Sequence, residues 1–409
     1  MLFYTSVALA QHVTTVDRLP AAVRELDPNQ EHAPLPCTVE SFKPALNFGL
    51  RFQTGYLLRV PLDLYTGTGH HWDVVFRVTA QGANRPPVIF ADSVDLPANL
   101  QSGYLAELGG IFFLGEGRYD VKWSLLDDLG QICRQEWTLD ARLSGSEKSA
   151  RVTMPPDTVG DLTWRTTPIA AASALNPRHV TVLLNAALPV NVQPGQMAHP
   201  SRHVSSVAEW GTLLSMLASL LERLPGTSVR LVVFDADRQR ELFRQDNFTV
   251  DQIDRIAHAA DGMERWAVGY DSIRNPTGGW ALLAGLENKE IHATHPPDAV
   301  VFLGLPWGWD EKPPRSAHVA TPRNPPHFLY LEYRPYTPAS TGLGWLPPSP
   351  RSEVIAGRMD VQMPITRVPT EGPDGIAQMV QRLNGKTMMI YAPADLGKAI
   401  DTIGRALPH

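Results

Sequence analysis

The first half of the chain shows the alternation of polar and apolar residues that is typical of β-strands. Between Arg118 and Leu125 the alternation is strict, which predicts that the odd-numbered residues from Tyr119 to Leu125 share one buried face. No helical period interrupts these segments, so the pattern predicts an antiparallel β-sandwich at 37–143. The predicted strands cover 50–65, 71–80, 87–96, 117–127 and 132–143.

The second half alternates between apolar strands and amphipathic helices. The continuous apolar run at 179–187 predicts a strand that is buried on both faces. A capping box from Ser206 to Glu209 predicts the start of a long helix, and Gly278-Gly279 leads into a second helix. Strands that alternate with helices predict an α/β domain at 177–409 with a parallel, doubly wound sheet. The other predicted strands cover 228–235, 240–244, 298–304, 327–333 and 387–392, and the other predicted helices cover 250–260, 375–383 and 393–407.

Two segments lie outside these predicted domains. Residues 1–36 begin with a short apolar run that ends in Ala8-Leu9-Ala10, which has the form of a signal-peptidase site. We therefore interpret 1–36 as the remnant of an export signal followed by an N-terminal arm, and the alternative is an ordinary hydrophobic segment. Residues 144–176 are rich in Ser, Thr, Pro and Ala without a sustained period, which predicts a linker.

Composition and charge narrow the functional classes. The 409 residues are 43% hydrophobic and only 19% charged, which excludes a largely disordered chain. A net charge of −6 without a block of Lys or Arg argues against nucleic acid as the partner. No run of 18 apolar residues occurs, so we predict no transmembrane segment.

Cys37 and Cys133 are the only two cysteines, and they flank the predicted sandwich. Two such cysteines suit a single disulfide bond in an oxidising compartment, and this agrees with export to the periplasm or the cell exterior. The alternative is a pair of buried free thiols.

The order of elements in 177–409 resembles the von Willebrand factor type A domain. The resemblance lies in the opening strand, the capped helix, the strand Val229–Phe234, the Gly-Gly helix start and the strand Ala299–Leu303. With a β-domain before it in an exported chain, the protein is similar to the VWFA-related proteins common in Acidobacteria. The resemblance implies a Mg²⁺ site at the carboxyl ends of the strands, built from an Asp-x-Ser-x-Ser turn, a Thr after a Gly-Gly pair and a later Asp.

The chain departs from this family pattern at every ligand position. The residues that stand at the metal-site positions are Asn185, Ala187, Pro189, Trp280 and Gly304. Only the first of them has a side-chain oxygen, and it is neutral, whereas Mg²⁺ needs anionic partners. The resemblance therefore implies a degenerate site without a metal, and no motif predicts a catalytic residue or a cofactor.

An alternative alignment keeps a metal site open. If the ligands are displaced, Asp235, Asp271 and Asp310 are the carboxylates expected near the same sheet edge. The protein would then be a metal-dependent adhesion protein.

The segment 305–350 is the strongest candidate for a binding surface. It contains eleven prolines and seven aromatic residues. Proline reduces the entropy lost on binding, and exposed Trp and Tyr are common anchors of protein interfaces. The predicted partner-binding residues are Trp307, Trp309, Tyr333, Tyr336 and Trp345. The alternative is that these loops cover the protein's own sheet edge.

We therefore expect an exported, non-catalytic protein that binds or scaffolds other proteins. The sequence does not identify the partner. A hydrolase is a further alternative, although no nucleophile, base and orienting residue can be assembled from the motifs.

Overall fold

The structure of the protein is a computed structural model. The residues that it describes form two compact units. The N-terminal unit contains the described residues up to 148 and residues 152–161, and the α/β unit contains residues 149–151 and the described residues from 178 onward. The described residues are 12–15, 18–19, 33–65, 69–82, 85–96, 105–161, 178–187, 202–224, 226–253, 255–256, 274–275, 277–307, 314, 317, 319, 325–334 and 374–407. The expected two-region architecture, rich in β-sheet, is confirmed.

The N-terminal unit contains two sheets. Its strands are β1 (His12–Thr14), β2 (Ala33–Pro34), β3 (Thr38–Ser41), β4 (Ala45–Leu46), β5 (Phe52–Pro61), β6 (His71–Ala80), β7 (Val88–Asp95), β8 (Leu105–Leu114), β9 (Gly117–Asp127), β10 (Gln131–Ala141) and β11 (Val159–Gly160). One sheet has the order β1-β7-β6-β9-β10-β2, and the other has the order β11-β8-β5-β3 with β4 also paired to β5. All these pairs are antiparallel except the short parallel pair of β2 with β10.

The two sheets share one aromatic core. Tyr56 of β5 packs edge-on against Phe76 of β6 and Trp123 of β9, with ring centroids 5.5 and 5.3 Å apart. The odd-numbered residues of β9 from Tyr119 to Leu125 are each at most 1% exposed, which confirms the buried face predicted from the alternation. The inward side chains of both sheets thus fill the space between them.

A disulfide bond joins Cys37 to Cys133, as one of the two alternatives predicted. Their Cα atoms are 6.2 Å apart, within the range that a bridge spans. The bond links the segment before β3 to β10, and these two strands belong to different sheets. It therefore closes a loop between residues 96 positions apart in the sequence.

The sequence missed several strands of this unit. Strand β8 was not predicted, although it pairs with β5 along its whole length. A Cβ added on Gly55 of β5 would lie only 2.0 Å from the carbonyl oxygen of Gly110, so glycine at 55 allows the two strands to approach closely. Strands β1 and β2 lie inside the segment interpreted as an arm, and β11 lies inside the predicted linker 144–176. Strands of two or three residues are too short to show a period, so the sandwich extends beyond its predicted limits.

The α/β unit contains one six-stranded sheet with the order β14-β13-β12-β15-β16-β17. Its elements are β12 (Arg178–Asn185), α1 (Arg202–Arg223), β13 (Thr227–Asp235), β14 (Arg240–Gln245), α2 (Gly278–Ile291), β15 (Ala299–Gly304), β16 (His327–Tyr333), α3 (Gly375–Arg382), β17 (Lys386–Ile390) and α4 (Pro393–Ala406). Every neighbouring pair is parallel except β13 with the edge strand β14. The first strand therefore lies in the middle of the sheet.

Helices α2 and α3 pack against one face of this sheet. The shared core contains Leu183 and Phe302 from the strands, Trp280 and Leu283 from α2, and Met379 from α3. Residues that alternate with these along the strands are buried as well, as expected when a sheet is covered on both sides. Among the described residues, no helix combines the length and apolar character needed to cross a membrane.

The start of α1 differs from the prediction. The helix begins at Arg202, so the capping-box sequence at Ser206 lies inside it. A capping box acts at the first turn of a helix, where the backbone N–H groups have no partners within the helix. Here the first turn begins at Arg202, four residues before Ser206. The Thr249 cap, by contrast, forms a capping box with Gln252 at the start of a short 3₁₀ helix.

Candidate functional site

The carboxyl ends of the parallel strands meet at one edge of the sheet, which we call the carboxyl edge. Strand β12 ends at Asn185, β13 at Asp235, β15 at Gly304 and β16 at Tyr333. In open α/β sheets ligands bind at this edge, next to the point where the strand order reverses. Here the reversal lies at β12, which pairs with both β13 and β15.

The side chain of Asn185 is hydrogen-bonded to the protein's own backbone. Its side-chain Oδ1 accepts hydrogen bonds from the N–H groups of Ala187 at 3.1 Å and Ala236 at 3.4 Å. The residue is 1% exposed, and an added Cβ on Gly304 would lie only 2.9 Å from its Cβ. Two of the metal-site positions are thus closely packed, and the oxygen of Asn185 joins the end of β12 to the end of β13.

The other metal-site positions offer no ligand among the described residues. Trp280 is 1% exposed and belongs to the core between α2 and the sheet. Ala187 is buried and has no side-chain oxygen. Pro189 lies outside the described residues, as do Asp271 and Asp310 of the displaced-ligand alternative.

Trp307 is half-buried at the carboxyl edge and is held by three hydrogen bonds. Its backbone N–H donates to Oδ1 of Asp374 at 3.2 Å, and its carbonyl oxygen accepts from the N–H of Gly375 at 2.6 Å. Its indole N–H donates to Oδ1 of Asp237 at 2.7 Å. The ring packs edge-on against Trp280, with centroids 5.5 Å apart.

A glycine makes this indole position possible. An added Cβ on Gly279 would lie 2.4 Å from Cζ2 of Trp307 and 2.8 Å from the carbonyl oxygen of Ala236. Any side chain at this position would therefore displace the indole or the loop after β13. The Gly-Gly helix start thus accommodates an aromatic side chain.

The carboxylates near this edge each have a partner within the protein. Asp235 accepts from the N–H of Arg238 at 2.9 Å, and Glu332 forms an ion pair with Arg334. Asp374 caps α3 by accepting from the N–H of Ile376 at 2.9 Å, and burial raises the pKa of its carboxyl to about 6. Among the described residues, no group of three or more His, Cys, Asp or Glu side chains is arranged to hold a metal.

The predicted partner-binding residues have different positions. Trp307 keeps part of its surface accessible, whereas Tyr333 is 6% exposed and cannot present its ring to a partner. Strand β16 was predicted correctly, but its carboxyl end is buried, so Tyr333 is removed from the candidate surface. Trp309, Tyr336 and Trp345 lie outside the described residues.

Sequence reasoning missed the two acids that hold Trp307. Asp374 directly precedes α3 in the sequence Gly372-Pro-Asp-Gly375, and Asp is a favoured residue at the start of a helix. That signal predicts the cap but not its contact with Trp307. Asp237 lies in the turn between β13 and β14 and has no sequence signal beyond the usual preference of Asp for turns.

Comparisons with known proteins do not identify a family. No protein-family model matches the chain, and no curated protein matches it. Similar solved structures include a superoxide reductase (neelaredoxin) from Ignicoccus hospitalis, with 10% identity over 27% of this chain and 82% of that one and a TM-score of 0.20. The putative ApaA protein from Bordetella pertussis has 13% identity over 28% of this chain and 100% of its own, with a TM-score of 0.18.

A third structure covers more of this chain. It is a calcium-binding mutant of Bacteroides uniformis beta-glucuronidase 2, with 8% identity over 72% of this chain and 29% of that one. Its TM-score is 0.19. Likenesses at this level say nothing about function.

Proposed function

We propose that this protein is an exported, non-catalytic interaction protein whose α/β unit is a type A-like domain without a metal site. The observation that carries the proposal is that Asn185 and Trp280, which stand at metal-site positions, contact other parts of the protein. The oxygen of Asn185 accepts two backbone N–H groups, and Trp280 fills the core. The central first strand and the parallel pairs of the sheet agree with the doubly wound expectation.

The disulfide bond supports the export part of the proposal. Disulfides persist in oxidising compartments and are rare in the cytosol. Cys37 and Cys133 are the only cysteines of the chain, and they are bonded to each other.

Trp307 is the proposed anchor for a protein partner. Three hydrogen bonds and the contact with Trp280 fix its position, so little conformational entropy remains to be lost on binding. Trp is also enriched among the residues that dominate binding energy at protein interfaces. The partner surface would include the exposed part of this indole.

The test compares the wild-type chain with Trp307→Ala in capturing proteins from an extract of the native organism. We expect the variant to lose at least one specific partner, with binding weakened by about 2 kcal/mol or more. Because the indole is half-buried, we also expect the α/β unit to be destabilised by roughly 2–3 kcal/mol. Circular dichroism must therefore show that the variant is folded under the binding conditions.

Two further variants separate binding from folding. Gly279→Ala should displace the indole and weaken binding of the same partner, although Trp307 is retained. Leu105→Ser changes an apolar residue that is 58% exposed in the N-terminal unit, and it should leave that partner bound. If the folded Trp307→Ala protein captures every partner as well as the wild type does, the proposed surface is wrong.

A further inference from the structure

The described residues that line one cleft in the α/β unit all have polar side chains. It has a volume of about 420 Å³ and is formed by Arg238, Gln239, Arg274 and Asn275. The first two belong to the turn between β13 and β14, and the other two precede α2. Its volume falls within the range of about 300–1,000 Å³ that is usual for small-molecule sites.

A hydrogen bond joins the two sides of this cleft. The side-chain Nε2 of Gln239 donates to the carbonyl oxygen of Asn275 at 2.6 Å. Gln239 adopts a left-handed backbone conformation with a φ of 55°, which is uncommon for a residue other than glycine. Gly278 leaves room for it, since an added Cβ there would lie 1.7 Å from Oε1 of Gln239. The cleft is therefore formed before any ligand arrives.

The described lining residues carry two positive charges and no carboxylate. Arg238 has a loose ion pair with Asp235, with 3.8 Å between Nε and Oδ2. Arg274 is exposed, and none of the described residues forms an ion pair with it. Asp237 lies in the same turn as Arg238, but its Oδ1 accepts the indole N–H of Trp307. Among the described residues, no carboxylate neutralises Arg274, so its guanidinium group is the charge that we expect a ligand to contact.

The side chains, rather than the start of α2, supply the donors. The N–H of Gly278 is already bonded to the carbonyl oxygen of Asn275 at 3.0 Å, and the N–H of Trp280 is bonded to that of Thr277 at 3.1 Å. The planar guanidinium group matches the geometry of carboxylate and phosphate oxygens and can bind them with two parallel hydrogen bonds. The side-chain amide of Asn275 adds a further donor to the lining.

We infer that this cleft binds an oxyanion, either a carboxylate or a phosphate group. The inference does not depend on Trp307 being a partner anchor, because different residues form the cleft and a free ion tests it. Arg274 supplies one guanidinium group, Arg238 supplies a second, and the hydrogen bond between Gln239 and Asn275 links the two segments that carry them.

The experiment titrates sodium phosphate and sodium acetate separately into the full chain at constant ionic strength, with binding followed by calorimetry. We expect saturable binding of at least one ion. Arg274→Ala should weaken it by about tenfold or more, as expected when charge-assisted hydrogen bonds to the ligand are lost. A response to acetate alone identifies a carboxylate site, and a response to phosphate alone identifies a phosphate site.

Arg240→Ala is the matched control. Arg240 is an exposed arginine in the strand that follows the same turn, but it does not line the cleft. This variant should bind the ion as the wild type does, and circular dichroism should show that both variants are folded. The inference is overturned if neither ion binds saturably, or if the two variants lose affinity equally.

Discussion

The two units stabilise their interiors in different ways. The N-terminal unit buries aromatic rings, with Trp72, Phe76 and Trp123 each at most 1% exposed, and a disulfide bond links two of its segments. The α/β unit also buries aromatic rings, such as Trp280 and Phe302, but it has no cysteine and buries more carboxyl groups than the N-terminal unit does among the described residues. Four acidic residues of this unit are each at most 5% exposed: Glu287, Glu290, Glu332 and Asp374.

Among the described residues, the carboxyl groups whose pKa is raised by burial all lie in the α/β unit. Aromatic packing and a disulfide bond do not change with protonation near neutral pH. A carboxyl group whose pKa is raised by burial does, and perturbed pKa values concentrate at functional sites. Asp374, whose pKa burial raises to about 6, lies at the carboxyl edge, where its Oδ1 accepts the backbone N–H of Trp307. Both proposed binding sites, at Trp307 and at the arginine-lined cleft, therefore lie in the unit that holds these carboxyl groups.

The largest expected effect comes from removing the disulfide bond. The variant with Cys37→Ser and Cys133→Ser should lose roughly 4–5 kcal/mol from the N-terminal unit, because its unfolded state is no longer restricted by a closed loop of about 100 residues. Calorimetry should show the N-terminal transition at a lower temperature and the α/β transition unchanged. An equal shift of both transitions would contradict the separation into two differently stabilised units.

The next effect concerns Glu290, whose carboxylate lies between two arginines. It forms ion pairs with Arg230 at 2.8 Å and Arg244 at 2.5 Å, and it accepts a hydrogen bond from Thr181 at 2.9 Å. The substitution Glu290→Gln should lower the free energy of unfolding by about 3 kcal/mol, because the two guanidinium groups lose their buried counter-charge. Urea unfolding of the α/β unit measures this change.

Glu241 provides the matched control for that substitution. It also forms an ion pair with Arg244, at 2.7 Å, but its side chain is 29% exposed. Glu241→Gln should therefore cost less than about 1 kcal/mol. Equal costs for the two variants would show that burial of the carboxylate does not matter.

The dependence of stability on pH should be smaller and should come mainly from Glu287. Burial raises the pKa of its carboxyl from 4.5 to about 8, and none of the described residues forms a hydrogen bond with it. The folded unit thus holds this proton more tightly than the unfolded chain does. The resulting stability is fully present below about pH 4.5 and is lost as the pH rises through 8.

We expect the α/β unit to lose roughly 2 kcal/mol between pH 6 and pH 8 through this group. Glu287→Gln should remove that part of the loss in urea unfolding at the two pH values. Burial also raises the pKa of Glu209 to about 7, so a smaller loss of the same sign should remain in the variant. An undiminished loss in the Glu287→Gln protein would contradict the assignment.

The sequence predicts the longer elements well because their periods extend over many residues. The strands His71–Ala80 and Gly117–Asp127 have the predicted limits, and α2 begins at the predicted Gly-Gly pair. The strand β8 was missed although it pairs with β5 along its whole length, where Gly55 of β5 allows a close approach to the carbonyl oxygen of Gly110. Local patterns do not reveal which distant backbone a glycine will face.

The candidate site was less predictable, since its contacts join residues far apart in the sequence. Trp307 was singled out from composition, but its contacts with Asp237 and Asp374 span 70 and 67 positions. The cleft with Arg238 and Arg274 has no spacing that a motif would capture. Such sites depend on the order of strands in the sheet, which brings separate loops to one edge.

The smallest expected effect, and the most direct test of the account, is the response of the α/β unit to a divalent cation. Its thermal unfolding should be compared in EDTA and in excess Mg²⁺ at equal ionic strength. Because Oδ1 of Asn185 accepts the backbone N–H groups of Ala187 and Ala236 and Trp280 fills the core, we expect the two transition temperatures to agree. An ion present at 100 times its Kd would stabilise the fold by about 2.7 kcal/mol and raise the transition by several degrees. Such a rise in Mg²⁺ would contradict the account and restore a metal site to this edge.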